Sequence, residues 1–322
     1  MFETIESLKA INSKSIIAVL PDLQNYTGSG GLHFSVLTET IQWLLDSANT
    51  LNIELVLQVG DLSDANKPDE WERAREAFSI LDGHLPYALT VGNHDLGISE
   101  IGGSRDTYLN DYFKIEQNPL NKAAQLDTWQ PGKLENSAAR HRLAGEDWLI
   151  LALEFGPRAE VLMWAESVLS QYSHLPTILL THEFIDQLSL LQHGQALRSG
   201  TKTYNNPYYY PLANLPGGAA CGEEVWERLV LPHSQIRAVV NGHYRPFAYD
   251  DFTGKIIPVS GLAEAHRSDF RPDGSCVDQY LFNAQWGVRG GNGWMLFLEM
   301  YPGREFVARK FSPLAIQNVD FV

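Results

Sequence analysis

Polar side chains follow five short apolar runs in this sequence, each at the point where the run ends. They are Asp22 and Gln24, Asp61 and Asp64, Asn93-His94-Asp95, His182, and His243 with Arg245. Carboxylate, imidazole and amide groups together are the ligands that Zn²⁺, Mn²⁺ and Fe ions take in proteins. A single pair such as Gly92-Asn93 is first of all typical of a turn. Five such groups in one chain are hard to attribute to turns, and they predict a metal site.

The apolar runs that precede these groups are predicted strands, with helices predicted between them. The predicted strands lie at residues 15–20, 53–59, 86–91, 177–181 and 236–240. A helix is expected after residue 35, and another begins near Asp69 with Glu72 as a capping-box partner. This alternation predicts an α/β fold with layered sheets, in which neighbouring strands place their carboxyl ends at one edge.

Two irregular stretches interrupt this pattern, at about residues 96–145 and 184–222. The first is predicted to hold one helix at about residues 105–113, and the second contains the aromatic segment 204–210. That segment could stack a flat ligand group or pack on the domain beneath it. After residue 245 short β runs alternate with turns. The sequence shows no internal repeat or linker, so residues 1–322 are predicted to form one domain with two insertions.

The composition disfavours some functions. The 322 residues include 39 acidic and 24 basic side chains, which give a net charge of -15. This charge argues against a nucleic-acid or anionic-membrane surface and is compatible with cation binding. No apolar run approaches the ~18 residues of a membrane span, and the N-terminus lacks the basic flank and apolar core of a signal peptide. Cys221 and Cys276 are expected to be reduced thiols, so a cytoplasmic enzyme is expected.

The ordered groups resemble the motif series of a known family, the calcineurin-like metallophosphoesterases, over residues 16–245. The segments that carry the resemblance are Asp22-Leu23-Gln24, Gly60-Asp61-Leu62-Ser63-Asp64, Gly92-Asn93-His94-Asp95, Thr181-His182 and Gly242-His243. Residues 290–294 are also similar to the tail of a bacterial branch of that family. The resemblance implies a four-layer αββα sandwich, with mixed sheets and helices on both outer faces. It also implies a centre for one or two divalent Mn, Fe or Zn ions at the strand ends.

The resemblance assigns a role to each of these polar residues. Asp61 would bridge two ions, and Asp22 with Gln24 would belong to the first site. The second site would be completed by Asn93, His182 and His243. The expected reaction is hydrolysis of a small-molecule phosphodiester or phosphomonoester by attack of metal-bound hydroxide. In that reaction His94 would protonate the leaving group, oriented by Asp95, and residues 283–286 would line the rim of the site.

Two residues depart from the family pattern, and both fall on the first metal site. The family usually has His where this chain has Gln24, and again His where it has Arg245. A guanidinium group stays protonated and cannot ligate a cation, so one firmly bound ion is expected rather than two. Arg245 could pair with Asp22 and offer its donors to a phosphate, or it could turn to solvent.

The altered first site also supports a second class of function. In that alternative the chain is a degenerate family member that binds a ligand or a protein without hydrolysis. The presence of His94 and Asp95 favours the enzyme, because a binding module does not require a proton donor.

Overall fold

Two large mixed β-sheets dominate this computed structural model, which describes residues 14–97, 102–301 and 306–316. In chain order the strands are β1 (Ser15–Leu20), β2 (Ile53–Gln58), β3 (Tyr87–Leu89), β4 (Gln125–Thr128), β5 (Ser137–Leu143), β6 (Glu146–Leu153), β7 (Thr177–Thr181), β8 (Ile185–Asp186), β9 (Leu197–Arg198), β10 (Ile236–Asn241), β11 (Phe247–Tyr249), β12 (Ile256–Pro258), β13 (Ala263–Phe270), β14 (Cys276–Asn283), β15 (Met295–Met300) and β16 (Val307–Phe311). The five-stranded sheet has the order β16-β15-β1-β2-β3, and the seven-stranded sheet has the order β13-β14-β10-β7-β6-β5-β4.

Each sheet combines a parallel part with antiparallel strands, and in the five-stranded sheet the parallel strand β3 lies at one edge. Strands β1, β2 and β3 run parallel, as do β6, β7, β10 and β14. Strands β15 and β16 complete one sheet antiparallel, and β13, β5 and β4 complete the other in the same way. Parallel strands are buried on both faces and therefore read as continuous apolar runs, which is how the sequence predicts them.

Helices cover the outer faces of both sheets. In chain order they are α1 (Gln24–Thr27), α2 (Phe34–Leu51), α3 (Pro68–Ser79), α4 (Leu109–Tyr112), α5 (Pro119–Ala124), α6 (Ala159–Gln171), α7 (Gln187–His193), α8 (Gly222–Val225) and α9 (Pro313–Ile316). A π-helical turn at Trp226–Val230 continues α8. Helix α2 ends at Asn52, which takes a left-handed conformation with a φ of 56°, as is common for an asparagine after a helix.

Three apolar clusters show that the chain folds into four layers. The first packs one face of β1, including Ile16 and Ala18, against α2 and α3. The opposite face of β1, including Ile17 and Val19, packs against the inner face of the seven-stranded sheet. The third packs the outer face of that sheet against α6 and the helix that follows Gly222. Successive strand residues point to opposite faces, so each central strand contributes to two clusters. The predicted αββα architecture is confirmed.

The first irregular stretch is more ordered than the sequence predicts. The helix expected at about residues 105–113 is only Leu109–Tyr112, and β4 and β5 extend the seven-stranded sheet. Helix α3 also differs, because its N-terminal capping partner is Glu70 and not Glu72. The Glu70 carboxylate accepts the backbone N–H groups of Asp64, Ala65 and Lys67 at 3.1, 2.7 and 3.3 Å. Among the described residues, no helix is both long and apolar enough to cross a bilayer.

Candidate metal centre

The carboxyl ends of the parallel strands of both sheets meet at one edge, and the polar groups predicted from the sequence lie there. Asp22 follows β1, Asp61 follows β2 and Asn93 follows β3, while His182 follows β7 and His243 follows β10. Asp22, Asp61 and His182 each offer one ligand atom, and these atoms lie within 4.8 Å of one another. Their side chains are at most 2% exposed in the folded chain. This group could therefore hold a metal ion.

Asp61 and His182 form the middle of the group. The Asp61 Oδ2 atom lies 3.3 Å from His182 Nε2, and Asp61 Oδ1 accepts the backbone N–H of His94 at 2.9 Å. The other ring nitrogen of His182, Nδ1, donates to the Val59 carbonyl at 2.8 Å. A carbonyl only accepts, so this contact fixes the hydrogen on Nδ1 and directs Nε2 toward the carboxylate. Such a second hydrogen bond is the usual way in which proteins orient a ligand imidazole.

His243 and Asn93 complete the group around His182 Nε2. His243 Nδ1 lies 3.1 Å from this atom, and Asn93 Oδ1 lies 3.2 Å from it. His243 Nε2 donates to the Asn205 carbonyl at 2.7 Å, which leaves a lone pair on Nδ1. If both imidazoles were neutral, they would direct lone pairs at each other beside a carboxylate. Positive charge at this point, either a proton on His182 Nε2 or a divalent metal ion, removes that repulsion, and the mixture of imidazole, carboxylate and amide oxygen fits a metal ion.

The pKa values of these side chains also indicate that the group attracts positive charge. Burial disfavours the charged form of His182, but the Asp61 carboxylate outweighs burial and raises the pKa of His182 to about 9. Burial also opposes the charge of Asp61, yet His182 and His94 hold the pKa of Asp61 well below its usual range. Burial and the neighbouring His182 together lower the pKa of His243 to about 3. Asp61 is therefore a carboxylate that attracts cations, and His243 is neutral and able to ligate.

Two glycines allow the strand ends to approach one another. A Cβ atom at Gly92 would overlap the Asp61 carboxylate, and a Cβ atom at Gly242 would overlap the carboxylate of Asp22. Asp61 and His243 themselves have left-handed backbones, with φ of 55° and 72°. Residues with side chains rarely adopt this conformation, and such residues are found preferentially at functional sites.

Asp22 is held by amide groups that sequence reasoning did not assign to it. Its Oδ2 atom accepts the side-chain N–H groups of Asn283 at 2.6 Å and of Gln285 at 3.0 Å. Its Oδ1 atom accepts the backbone N–H of His243 at 3.1 Å. Asn283 Oδ1 accepts the backbone N–H of Gln285 at 3.1 Å, so the NH₂ group of Asn283 faces the carboxylate. Burial, with the nearby charge of Asp61, raises the pKa of Asp22 to about 7.

Of the two unusual residues, Gln24 is buried and Arg245 is half-buried. Within the described part of the chain, Gln24 Oε1 and Arg245 Nε are buried without a hydrogen-bond partner. The Arg245 guanidinium stacks over the Trp286 ring, with Cζ 4.5 Å from the ring centre. In the described ranges no ion pair joins Arg245 to Asp22, and Asp22 Oδ2 accepts the side-chain N–H groups of Asn283 and Gln285. The pairing of Arg245 with Asp22 considered from the sequence is therefore wrong.

His94 borders the centre and is held by a group other than the one expected. Its Nδ1 atom donates to the Asp64 carbonyl at 2.6 Å, and its side chain is 21% exposed. Asp95 instead accepts the backbone N–H groups of Leu62 and Gly92 at 3.1 and 2.9 Å, and both the N–H and the hydroxyl of Ser63 at 2.8 Å. None of these Asp95 contacts is to the His94 ring, so its expected orienting role is not carried by a hydrogen bond among the described residues. Asp95 joins the loops after β2 and β3, and Asp64 orients His94.

Some of these contacts had a signal in the sequence and others had none. Asn283 is the last residue of β14 and Gln285 lies two residues later, which makes a sixth strand end with polar side chains. Side chains two residues apart in extended backbone lie on the same side, so both could have been assigned to the centre. The roles of the Asp64 and Asn205 carbonyls in orienting His94 and His243 could not be predicted from the sequence, because every residue has a carbonyl.

The sequence of this chain is similar to those of known proteins. A family model described as "Calcineurin-like phosphoesterase" matches residues 16–244. The Bacillus subtilis protein YvnB, described as uncharacterized, is 25% identical over 303 residues, which cover 91% of this chain. The chain spans only 19% of the length of that relative.

Two phosphatases are among the solved structures that match this chain. A purple acid phosphatase from yellow lupin (Lupinus luteus) seeds matches at a TM-score of 0.50 and 13% identity, over 94% of this chain and 52% of that chain. A dimetal phosphatase from Danio rerio matches at a TM-score of 0.44 and 13% identity, over 92% of this chain and 99% of that chain. At this identity, the likeness to the lupin enzyme shows the fold alone.

Proposed function

The chain belongs to the calcineurin-like phosphoesterase family, and from this we propose that it hydrolyses a phosphate ester of a small molecule with a divalent metal ion. The observation that carries the proposal is the convergence of Asp61, His182 and His243, whose two ring nitrogens face each other at 3.1 Å beside the carboxylate. Both rings are fixed from behind by backbone carbonyls, so the ligand atoms are pre-oriented. Manganese, iron and zinc suit this mixture of oxygen and nitrogen donors.

In this proposal four side chains at the second site would hold the ion, and they are Asp61, Asn93, His182 and His243. When bound, it supplies Lewis acidity that lowers the pKa of water and neutralises charge on the phosphoryl group. The chain itself supplies the donor that protonates the leaving oxygen. Burial disfavours a charged His94, but Asp61 and the Asp64 carbonyl outweigh it and raise the pKa of His94 above its ordinary value. The Nδ1–H bond to Asp64 leaves Nε2 to carry the transferable proton.

We infer one tightly bound ion per chain, because the first site has few free ligand atoms. Asp22 Oδ2 already accepts two amide N–H groups, which a cation at the same oxygen would oppose. The neutral Gln24 Oε1 atom is buried without a donor within the described ranges, so it remains a weak oxygen ligand. Elemental analysis of purified protein is expected to give one ion per chain, and two tightly bound ions would contradict this count.

Arg245 is proposed to stabilise the phosphate in place of a first-site ligand. Its side chain is partly buried and restrained by the stack on Trp286, and its Nε–H has no acceptor in the part of the chain that the structure describes. A hydrogen bond to a charged group contributes about 1.5–3 kcal/mol. We therefore expect Arg245→Ala to lower kcat/KM by about 10- to 100-fold with metal content unchanged. Steady-state kinetics with elemental analysis of the same samples is the measurement.

A surface arginine provides the matched control for Arg245. Arg142→Ala removes a guanidinium whose side chain is 71% exposed and pairs with Asp147 at 3.5 Å. Exposed pairs of this kind contribute little to stability, so this variant should retain wild-type kinetics. Equal kinetics for Arg245→Ala and the wild type would show that Arg245 does not contact the phosphate.

The alternative is a family member that binds without hydrolysis, and the three N–H groups that Asp22 already accepts favour it. Two substrates distinguish these functions: a chromogenic phosphodiester, bis(p-nitrophenyl) phosphate, and the monoester p-nitrophenyl phosphate, each assayed with added Mn²⁺, Zn²⁺ or Fe²⁺. The enzyme proposal predicts release of nitrophenol that a chelator abolishes. Failure to hydrolyse either ester in a metal-loaded sample would favour the binding module. The same assay distinguishes a phosphodiesterase from a phosphomonoesterase. We also propose a cytoplasmic location, which is supported by composition alone.

A further inference from the structure

A surface loop reaches the centre through one carbonyl group. Residues 200–208, here called the Asn205 loop, belong to the second irregular stretch, and Thr201, Lys202 and Tyr204 on it are exposed. The Asn205 carbonyl accepts the Nε2–H of His243 at 2.7 Å. This single contact places the ring hydrogen on Nε2 and the lone pair on Nδ1, the atom that faces His182 Nε2 at 3.1 Å. The opposite tautomer would turn an N–H group toward the metal ligands.

The position of this carbonyl depends on backbone conformation. Asn205 has a φ of 58°, in the left-handed region that asparagine and glycine tolerate better than other residues. A β-branched residue at this position would be strained, because its Cβ substituents crowd the left-handed backbone.

The next residue, Asn206, holds the loop closed from inside. It is fully buried, and its Nδ2 donates to the carbonyls of Gly200 at 2.8 Å and Thr203 at 2.6 Å. Its Oδ1 accepts the backbone N–H of Tyr208 at 2.9 Å. A buried amide with its donors and acceptor satisfied is costly to remove, since the carbonyls left behind lose their partners. The conformation of Asn205 thus depends on the Asn206 side chain.

We propose that the Asn205 loop is a positioning element of the metal centre, which fixes the tautomer and orientation of His243 and so sets the affinity for the divalent ion. The inference rests on the proposed function, because it takes His243 to be a ligand. Groups that orient a ligand imidazole typically change metal affinity by ~10- to 100-fold when they are lost. The loop acts through His243 and is not itself catalytic.

The first test removes the closure of the loop with Asn206→Ala. We expect Mn²⁺ and Zn²⁺ to bind this variant ~10- to 100-fold more weakly than the wild type, as measured by competition with a fluorescent chelator. Tyr208→Phe is the matched control, because it removes only the hydroxyl that bonds Glu224 at 2.5 Å and keeps the backbone N–H bonded to Asn206. This control should bind metal as the wild type does. Thermal unfolding of the metal-free proteins shows whether each variant is folded.

The second test compares two residues at position 205 and does not depend on Asn206→Ala folding. Asn205→Gly and Asn205→Val both remove the amide side chain, but only glycine tolerates the left-handed backbone. We expect the valine variant to bind metal more weakly than the glycine variant. Nitrogen-15 NMR of the metal-free proteins, with the His243 signal assigned by its loss in His243→Ala, should show the Nε2–H form in the wild type and a loss of that form in Asn205→Val.

The outcomes separate failure of this inference from failure of the proposed function. If the wild type binds neither Mn²⁺ nor Zn²⁺, the metal centre itself is wrong. If the wild type binds metal and Asn206→Ala and Asn205→Val bind it equally well, the centre stands and the role of the loop is refuted. An unchanged His243 tautomer in Asn205→Val would refute it as well.

Discussion

Replacing Asp61 by asparagine is expected to abolish tight metal binding and to lower kcat/KM by about 10³-fold. Asp61 is the anionic side chain of the second-site group, whose other members, Asn93, His182 and His243, are neutral ligands. The substitution preserves shape, and the oxygen that accepts the His94 backbone N–H can be kept. What is lost is the negative charge that attracts the ion, and stabilisation of several kcal/mol from a catalytic metal corresponds to this factor.

Isothermal titration of Mn²⁺ into metal-free protein, with steady-state kinetics on the same samples, measures the effect of Asp61→Asn. Asp46→Asn is the matched control, because Asp46 lies on the exposed face of α2 and accepts a hydrogen bond from Gln42 there. It should bind metal and turn over substrate as the wild type does. Wild-type affinity in Asp61→Asn would show that the ion, if bound, lies elsewhere.

His94→Ala is expected to lower kcat by ~10²–10⁴-fold while metal content stays at the wild-type level. The ring lies beside the centre, but the structure places its Nδ1 on the Asp64 carbonyl at 2.6 Å and not on the group of ligands. The loss should be smaller for an ester of an acidic phenol than for an alkyl ester, because a good leaving group needs little protonation. Kinetics on both ester types with elemental analysis would measure this difference.

The pH profile gives His94 a signature that a structural role would not produce. A proton donor acts in its protonated form, so kcat should fall as pH rises through the pKa of His94, which Asp61 and the Asp64 carbonyl raise above its ordinary value in the metal-free chain and which a cation on Asp61 would lower again. This fall should disappear in His94→Ala. His174→Ala, at an exposed position after α6, should keep both the rate and the profile. Equal loss of metal and activity in His94→Ala would instead make His94 a ligand.

The central strands were predictable from sequence because burial on both faces requires continuous apolar runs, as in β1 and β7. Three strands at the margins of the seven-stranded sheet, β4, β5 and β13, were not. Strand β13 reads Ala-Glu-Ala-His-Arg-Ser-Asp-Phe, and only its Ala263 and Ala265 are buried. Strand β5 likewise carries two arginines and a histidine. These strands are stabilised by pairing with β14 and β6. Because that stabilisation depends on the partner strand, the local sequence pattern does not predict it.

In the candidate site, the positions of the side chains could be predicted from the sequence, but the backbone groups that orient them could not. The positions of Asp61, His182 and His243 followed from their place after apolar runs, because parallel strands end at one edge. Their orientation did not follow, since the carbonyls of Val59 and Asn205 that fix the two rings lie far away in sequence. Asp95 shows most clearly that neighbours in sequence need not be hydrogen-bond partners. Its neighbour in sequence is His94, yet its hydrogen bonds go to Leu62, Ser63 and Gly92.

The measurement that tests the central claim most directly is turnover as a function of bound metal in one sample. Metal-free protein is titrated with Mn²⁺ while both the bound ion and the hydrolysis of the better of the two nitrophenyl esters are followed. We predict no turnover without metal, and a rise that reaches its plateau at one ion per chain. A chain that fills this centre with Mn²⁺ and hydrolyses neither ester at any occupancy would contradict the proposed phosphoesterase.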